Sequence, residues 1–208
     1  MAIEKQFFRQ VLGRFATGVT IVTTSSQGSL AGLTVNAFCS VSLNPPLVLV
    51  CIDLNSNTLP LLRESKIFAV NMLTTQQEEL SRGFSTSSAE RFEHFCHAAY
   101  HTATTGAPIL DNSLAFVDAR IVAEYPGGDH VIFIGEVESI GDTHKTMLVE
   151  DGIEVAHHHL AALDGTLAES ENEPLLFYTG QYHHMTKKYH HATATTPEHN
   201  GSLEKQAK

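Results

Sequence analysis

The sequence predicts a mainly β fold: a barrel with short peripheral helices. Strand-like segments outnumber helical ones, no regular strand–helix–strand alternation runs along the chain, and residues 113–140 read as one long hairpin. A doubly wound sheet is thereby disfavoured. A chain of 208 residues fits one domain with appendages and can bury a core without disulfides or structural metal.

Residues 4–15 open as a helix, with Phe7, Phe8, Val11, Leu12 and Phe15 on one stripe and Lys5, Arg9 and Arg14 mostly elsewhere. Residues 17–24 are β-branched almost throughout and form a strand, closed by a turn at Ser25-Ser26-Gln27-Gly28. Residues 30–43 continue as one long β segment that ends at Asn44-Pro45-Pro46. Residues 47–53 are an apolar strand buried on both faces. Ser56, Asn57 and Thr58 precede a helix at 59–65, with Pro60 in its first turn. A strand at 66–73 leads to a helix at 74–82 and a loop at 85–89.

In the hairpin, Ala115, Val117, Ala119, Ile121, Ala123 and Tyr125 share one face, and the opposite face is more polar. Pro126-Gly127-Gly128 makes its turn, and Val131, Phe133, Gly135, Val137 and Ser139 share a face of the second arm. A last strand falls at 175–181. The acidic, Ala-rich stretch at about 150–173 reads as a partly helical insertion. The domain is placed at 1–182, with 183–208 as a disordered C-terminal tail lacking apolar periodicity.

Apolar residues at 42% and charged residues at 17% exclude wholesale disorder. Lys+Arg total 13 against 23 Asp+Glu, and a net charge of −10 argues against a nucleic-acid partner. Cys39, Cys51 and Cys96 are too few for a disulfide framework and suit a reducing compartment. No apolar run approaches the ~20 residues of a membrane helix, and the N-terminus lacks a signal-peptide h-region. The expectation is a cytoplasmic protein with no membrane partner.

Three segments carry candidate chemistry. Between Gly32 and Asp53 two core strands joined by a Pro-Pro turn account for most of the text, but not for Thr34, Asn36, Ser40 and Ser42. Small polar side chains let a flat ligand approach the backbone. Ser56-Asn57-Thr58 is an N-cap in its ordinary reading and a phosphate site in its functional one. Gly128-Asp129-His130 is either a plain turn or a projecting histidine, and Gly135 inside the strand suggests close approach of a ligand or a second backbone.

With Phe15 to Thr23, Arg91-Phe92 and Gly106 to Leu110, these segments resemble the short-chain NAD(P)H:flavin oxidoreductases over roughly residues 5–182. That family has the FMN-binding split-barrel fold. The resemblance implies that Thr34, Val35, Asn36 and Ala37 border the isoalloxazine ring, and that Ser40, Val41 and Ser42 hold its polar edge and ribityl chain. It sets Cys51 and Asp53 beside the ligand and gives the flavin phosphate to Ser56, Asn57 and Thr58, with Arg91 near it. Phe84 would lie by the flavin tail and His130 would position the nicotinamide.

The implied activity is NAD(P)H-dependent reduction of FMN or FAD. The implied setting is a homodimer that supplies reduced flavin to a separate oxygenase in a two-component monooxygenase. The rival is a flavin carrier or redox sensor without fast NAD(P)H turnover, which would not need Gly128-Asp129-His130. His94, His97 and His101, with Cys96 between them, could line one helical face at i, i+3 and i+7 as a metal site. Gly, Thr and Pro crowd the residues that follow, and the resemblance offers no long helix there, so no metal is assigned.

Overall fold

The computed structural model describes residues 3–86, 98–142, 146–150, 153–157 and 173–185. Helix α1 (Lys5–Leu12) is capped by the Glu4 carboxylate, which accepts from the amides of Gln6 and Phe7 at 2.9 and 3.0 Å. The β-branched text that follows divides into β1 (Thr17–Gly18) and β2 (Thr20–Ser26). Gln27 and Gly28, both at positive φ, turn the chain into β3 (Ser29–Val35). The long 30–43 segment is not one strand. It breaks at Asn36-Ala37, and β4 (Phe38–Leu43) begins a new pairing with β5 (Pro46–Asp53).

Helix α2 (Leu59–Ser65) follows β5, and β6 (Ile67–Met72) returns to the sheet. The helix expected at 74–82 starts as a 3-10 turn (Thr75–Gln77) and continues as α3 (Glu78–Phe84). Gln77 and Thr74 cap it reciprocally. The short strands β7 (Tyr100–Thr102) and β8 (Pro108–Leu110) form their own hairpin. The long hairpin is β9 (Ala115–Gly127) and β10 (His130–Asp142).

Strands β11 (Thr146–Glu150) and β12 (Ile153–His157) extend the sheet, so the start of the acidic stretch is strand rather than helix. The rest of that stretch lies outside the described residues. The single strand expected at 175–181 is a hairpin of β13 (Leu176–Tyr178) and β14 (Gln181–His183), turned by Thr179 and Gly180 at positive φ. The expected tail lies outside the described residues apart from residues 183–185.

An antiparallel path runs β4-β5-β10-β9-β6-β2-β3. The first and last strands are consecutive in sequence but not hydrogen-bonded to each other, so the barrel is split where the chain passes through Asn36 and Ala37. Val22, Val50, Ile52, Leu62, Phe68, Val70 and Phe133 fill its interior with no exposed surface. A second cluster, with Ile21, Phe84 and Leu175 at its centre, joins α3 and β13 to the outside of the wall.

Two glycines set the packing distance. A Cβ on Gly32 would stand 2.6 Å from the Phe84 ring, and one on Gly135 would stand 2.5 Å from the Phe68 ring. Gly135 therefore admits a core ring, not a ligand. Strand β5 also departs from expectation. Val48, Val50 and Ile52 are buried while Leu47, Leu49 and Cys51 are half-exposed, because only one of its faces meets the barrel interior.

Candidate functional site

The split end of the barrel gathers residues from four strands. The Cys51 amide donates to the Ala37 carbonyl at 3.1 Å, which pins the β3–β4 passage to β5. His130, the first residue of β10, stands opposite Asp53 on one side and Gly127 on the other. The hairpin turn lies one residue later than expected, at Gly128-Asp129, with Gly128 at φ +76°. The Leu54 amide donates to the Asp129 carbonyl at 3.0 Å, tying that turn to the end of β5. Asn36, Ala37, Cys51, Asp53 and His130 are thus neighbours in space although they span 95 positions from first to last.

Two open clefts meet there. The larger, of about 840 Å³, is lined by Val19, Thr34, Asn36, Arg82, Tyr182 and neighbouring residues. The smaller, of about 570 Å³, lies between α1 and the β9–β10 turn, with Asp129 and His130 in its wall. Asn36, Phe177 and Gly180 line both. Volumes in this range suit a nucleotide-sized ligand.

The wall of the larger cleft is braced from behind. The Thr34 hydroxyl donates to the Ser81 carbonyl at 2.6 Å, and the Ser81 and Tyr182 hydroxyls share a 2.8 Å hydrogen bond. The Arg82 guanidinium lies 4.6 Å from the centre of the Tyr182 ring and 2.6 Å from Glu78. That hydrogen bond, more than any other contact, holds the Glu78 carboxyl below the usual carboxylate range. In the smaller cleft His130 Nδ1 and the Asp129 carboxylate are 2.7 Å apart, which likewise lowers the Asp129 pKa.

The expected site residues divide. Thr34, Asn36 and His130 line the clefts. Ala37 and Asp53 are exposed at the same end, and the Asp53 carboxylate accepts from the Asn55 amide at 2.7 Å. Half-buried Cys51 has its thiol pKa raised by desolvation. Ser40, Val41 and Ser42 run along β4 away from His130. Ser40 and Val41 are exposed, and the Ser42 hydroxyl accepts from the Asn44 amide at 3.2 Å. Val35 is buried in the barrel, and its carbonyl accepts from the Thr20 hydroxyl at 2.6 Å.

Around α2, Asn57 is exposed and Ser56 half-buried, but Thr58 is 3% exposed and its hydroxyl turns inward to the Gly32 carbonyl at 3.3 Å. Phe84 has no exposed surface. It is a core ring beneath Gly32 and presents nothing to a ligand. Arg91 lies outside the described residues, as do His94, Cys96 and His97. The remaining member of that histidine set, His101, has its Nδ1 2.8 Å from Asp111. Sequence reasoning missed Phe177, Gly180, Gln181 and Tyr182 as cleft residues. The Thr179-Gly180 dipeptide was the available signal, since it is a turn in the middle of apparent strand text.

A split antiparallel barrel with a nucleotide-sized cleft at its seam defines a class of flavin-handling oxidoreductases, and residues 12–186 match the flavin reductase like domain family. The chain belongs to that family, and it is an enzyme, a flavin reductase. It is 33% identical over 87% of its length to the reductase subunit HsaB of a flavin-dependent monooxygenase from Rhodococcus jostii, covering 78% of that protein. A flavin reductase from Pseudomonas putida is 32% identical over 87% of this chain and 90% of its own. The Streptomyces globisporus NADH:FAD oxidoreductase SgcE6, solved in complex with NAD and FAD fragments, superposes with a TM-score of 0.69. It is 27% identical over 91% of this chain and 99% of its own.

Proposed function

We propose that the enzyme reduces FMN or FAD with NADH or NADPH at the split end of the barrel and supplies the reduced flavin to a separate oxygenase. The observation that carries this reading is the position of His130. Its ring borders a cleft that reaches Asn36 and the β3–β4 passage, where a flat ring can lie against backbone.

The donor set fits a flavin. Phe177 and Val19 offer apolar faces, while Asn36, Gln181 and the Arg82 guanidinium offer polar edges. Gly180, with nothing within 4 Å of where a Cβ would stand, leaves the junction of the two clefts open. Bound flavin supplies the hydride acceptor. Holding two rings at reacting distance is the protein's contribution. His130 orients the nicotinamide, and Asp129 fixes the imidazole through its Nδ1.

Ser56 and Asn57 hold the flavin phosphate. Thr58 contributes no free hydroxyl to that task, since it is committed to Gly32. The protein works in the cytoplasm as a homodimer. In support, no α1 residue is buried within the protomer, and Leu43 on the unpaired edge of β4 is 95% exposed. Light scattering at micromolar concentration is expected to give twice the chain mass.

Anaerobic stopped-flow reduction tests the central claim. His130→Ala is expected to lower catalytic efficiency for NAD(P)H by about ten- to a hundredfold, the equivalent of one positioning contact, with flavin affinity unchanged. An unchanged reduction rate across the NAD(P)H range would remove His130 from the site and favour a flavin carrier.

A further inference from the structure

Helix α1 carries two chemistries on its surface. Lys5, Phe8, Arg9, Leu12 and Gly13 recur at i, i+3, i+4, i+7 and i+8, so they share one face. That face, not the Phe7–Val11 side, looks into the smaller cleft toward Asp129, His130 and Asn36. In a chain of net charge −10 this cleft is lined by two cations from a single helix. Neither makes a contact-distance ion pair among the described residues, although the Lys5 charge is near enough to help lower the Asp129 carboxyl's pKa, while Arg63, Arg82 and Arg120 each have a carboxylate in contact. The two Cα atoms are separated by about 6 Å along the helix axis. The helix is anchored at its C-terminal end, where the Thr179 amide donates to the Gly13 carbonyl at 2.8 Å.

We propose that Lys5 and Arg9 bind the diphosphate bridge of the nicotinamide dinucleotide, making α1 the donor-side clamp of the active site. The inference rests on the placement of the nicotinamide at His130. Two adjacent cations, neither held in a contact ion pair among the described residues, suit a doubly charged diphosphate better than a single phosphate, and Arg offers the planar fork that phosphate oxygens accept. Phe8 and Leu12, on the same face, give the apolar contact that the dinucleotide's rings require. FAD carries a diphosphate too, so the experiment must separate the two sources.

The test uses full-length enzyme loaded with FMN, so that NADH is the only diphosphate present. Lys5→Ala/Arg9→Ala is expected to raise the half-saturating NADH concentration in anaerobic stopped-flow by about tenfold for each charge lost. FMN affinity should stay within about twofold, and the salt dependence of NADH binding should flatten. Reduction by dihydronicotinamide riboside, which has no phosphate, should be unchanged, and Lys5→Arg/Arg9→Lys should restore NADH use. The proposal is overturned if NADH half-saturation is unmoved while His130→Ala still impairs it, an outcome that leaves the reductase reading intact. It is equally overturned if FAD affinity falls and NADH half-saturation does not, or if the riboside loses as much as NADH. Failure of wild-type enzyme to oxidise NADH would instead remove the reductase reading itself. Because no α1 residue is buried, circular dichroism of the double variant should match wild type.

Discussion

The two ends of the β9–β10 hairpin each carry an aspartate, and the two behave in opposite ways. At the base, Asp118 is fully buried. Its carboxylate accepts from the Thr105 amide at 2.8 Å, from the Thr105 hydroxyl, and from the Ser139 hydroxyl at 3.2 Å. Burial outweighs those hydrogen bonds and pushes its pKa up. At the tip, Asp129 is exposed, and its hydrogen bond to His130 pulls its pKa down. The base is a closed polar network whose partners all come from the chain. The tip faces a cleft, where the Lys5 charge also favours the Asp129 carboxylate but neither Lys5 nor Arg9 makes a contact ion pair among the described residues. A polar residue on a strand is architecture when the fold completes its hydrogen bonds, and a candidate for binding when the fold leaves that to something else.

The base offers the largest effect. Asp118→Ala removes one acceptor group from three buried or half-buried donors and is expected to cost about 3 kcal/mol of unfolding free energy, read by urea denaturation. A change below about 0.5 kcal/mol would mean the network is not closed as described. Asp118→Asn keeps the shape and removes the titration. A raised folded-state pKa means that protonation is favoured by folding. The wild type is therefore at its best relative to Asp118→Asn below the ordinary carboxylate value, and it loses ground as pH rises through the folded pKa. The opposite slope would show a carboxylate stabilised in its charged form.

Next in size is the spacing of the wall between the two ends. Gly135→Ala drives a methyl into Phe68, whose ring is fully enclosed, and into Ala119 at 3.0 Å. Overpacking of this kind is expected to cost about 2 kcal/mol and to lower the melting temperature, with flavin affinity of the folded fraction unchanged. Loss of flavin binding at undiminished stability would return Gly135 to the ligand.

How much of this was legible follows from the same physics. The β9–β10 alternation is visible because one face of a strand buried in a barrel repeats every second residue, and Val131, Phe133 and Val137 obey it. The same rule missed Asp118, since the polar face of β9 is covered at its base by β8, where Ile109 packs against Phe116. The break at Asn36-Ala37 has no glycine or proline to mark it, so β3 and β4 read as one strand. The short β13 and β14 were fused for lack of length. Ser40 and Ser42 stand out as small polar residues in strand text and Thr58 as an N-cap or phosphate candidate, whereas Val41 and Phe84 are implied by the family resemblance alone; Phe84 and the Thr58 hydroxyl prove to be packing groups. Lys5 and Arg9 looked like the solvated side of an amphipathic helix. Only the fold shows that their side faces a cleft.

The smallest effect is expected where polar groups are paired but exposed. Arg120 on β9 meets Glu138 on β10 through two nitrogens, at 2.6 and 3.3 Å, on the outer surface of the same hairpin. The geometry is as good as that at either end, yet the Arg120 side chain is half exposed and Glu138 about a quarter. Water solvates both ions nearly as well in the unfolded chain, and holding two long side chains costs entropy. Arg120→Ala is therefore expected to lose less than about 1 kcal/mol, and the loss should shrink as salt is added. A loss as large as that of Asp118→Ala, insensitive to salt, would mean that pairing rather than burial decides what a polar group contributes along this hairpin.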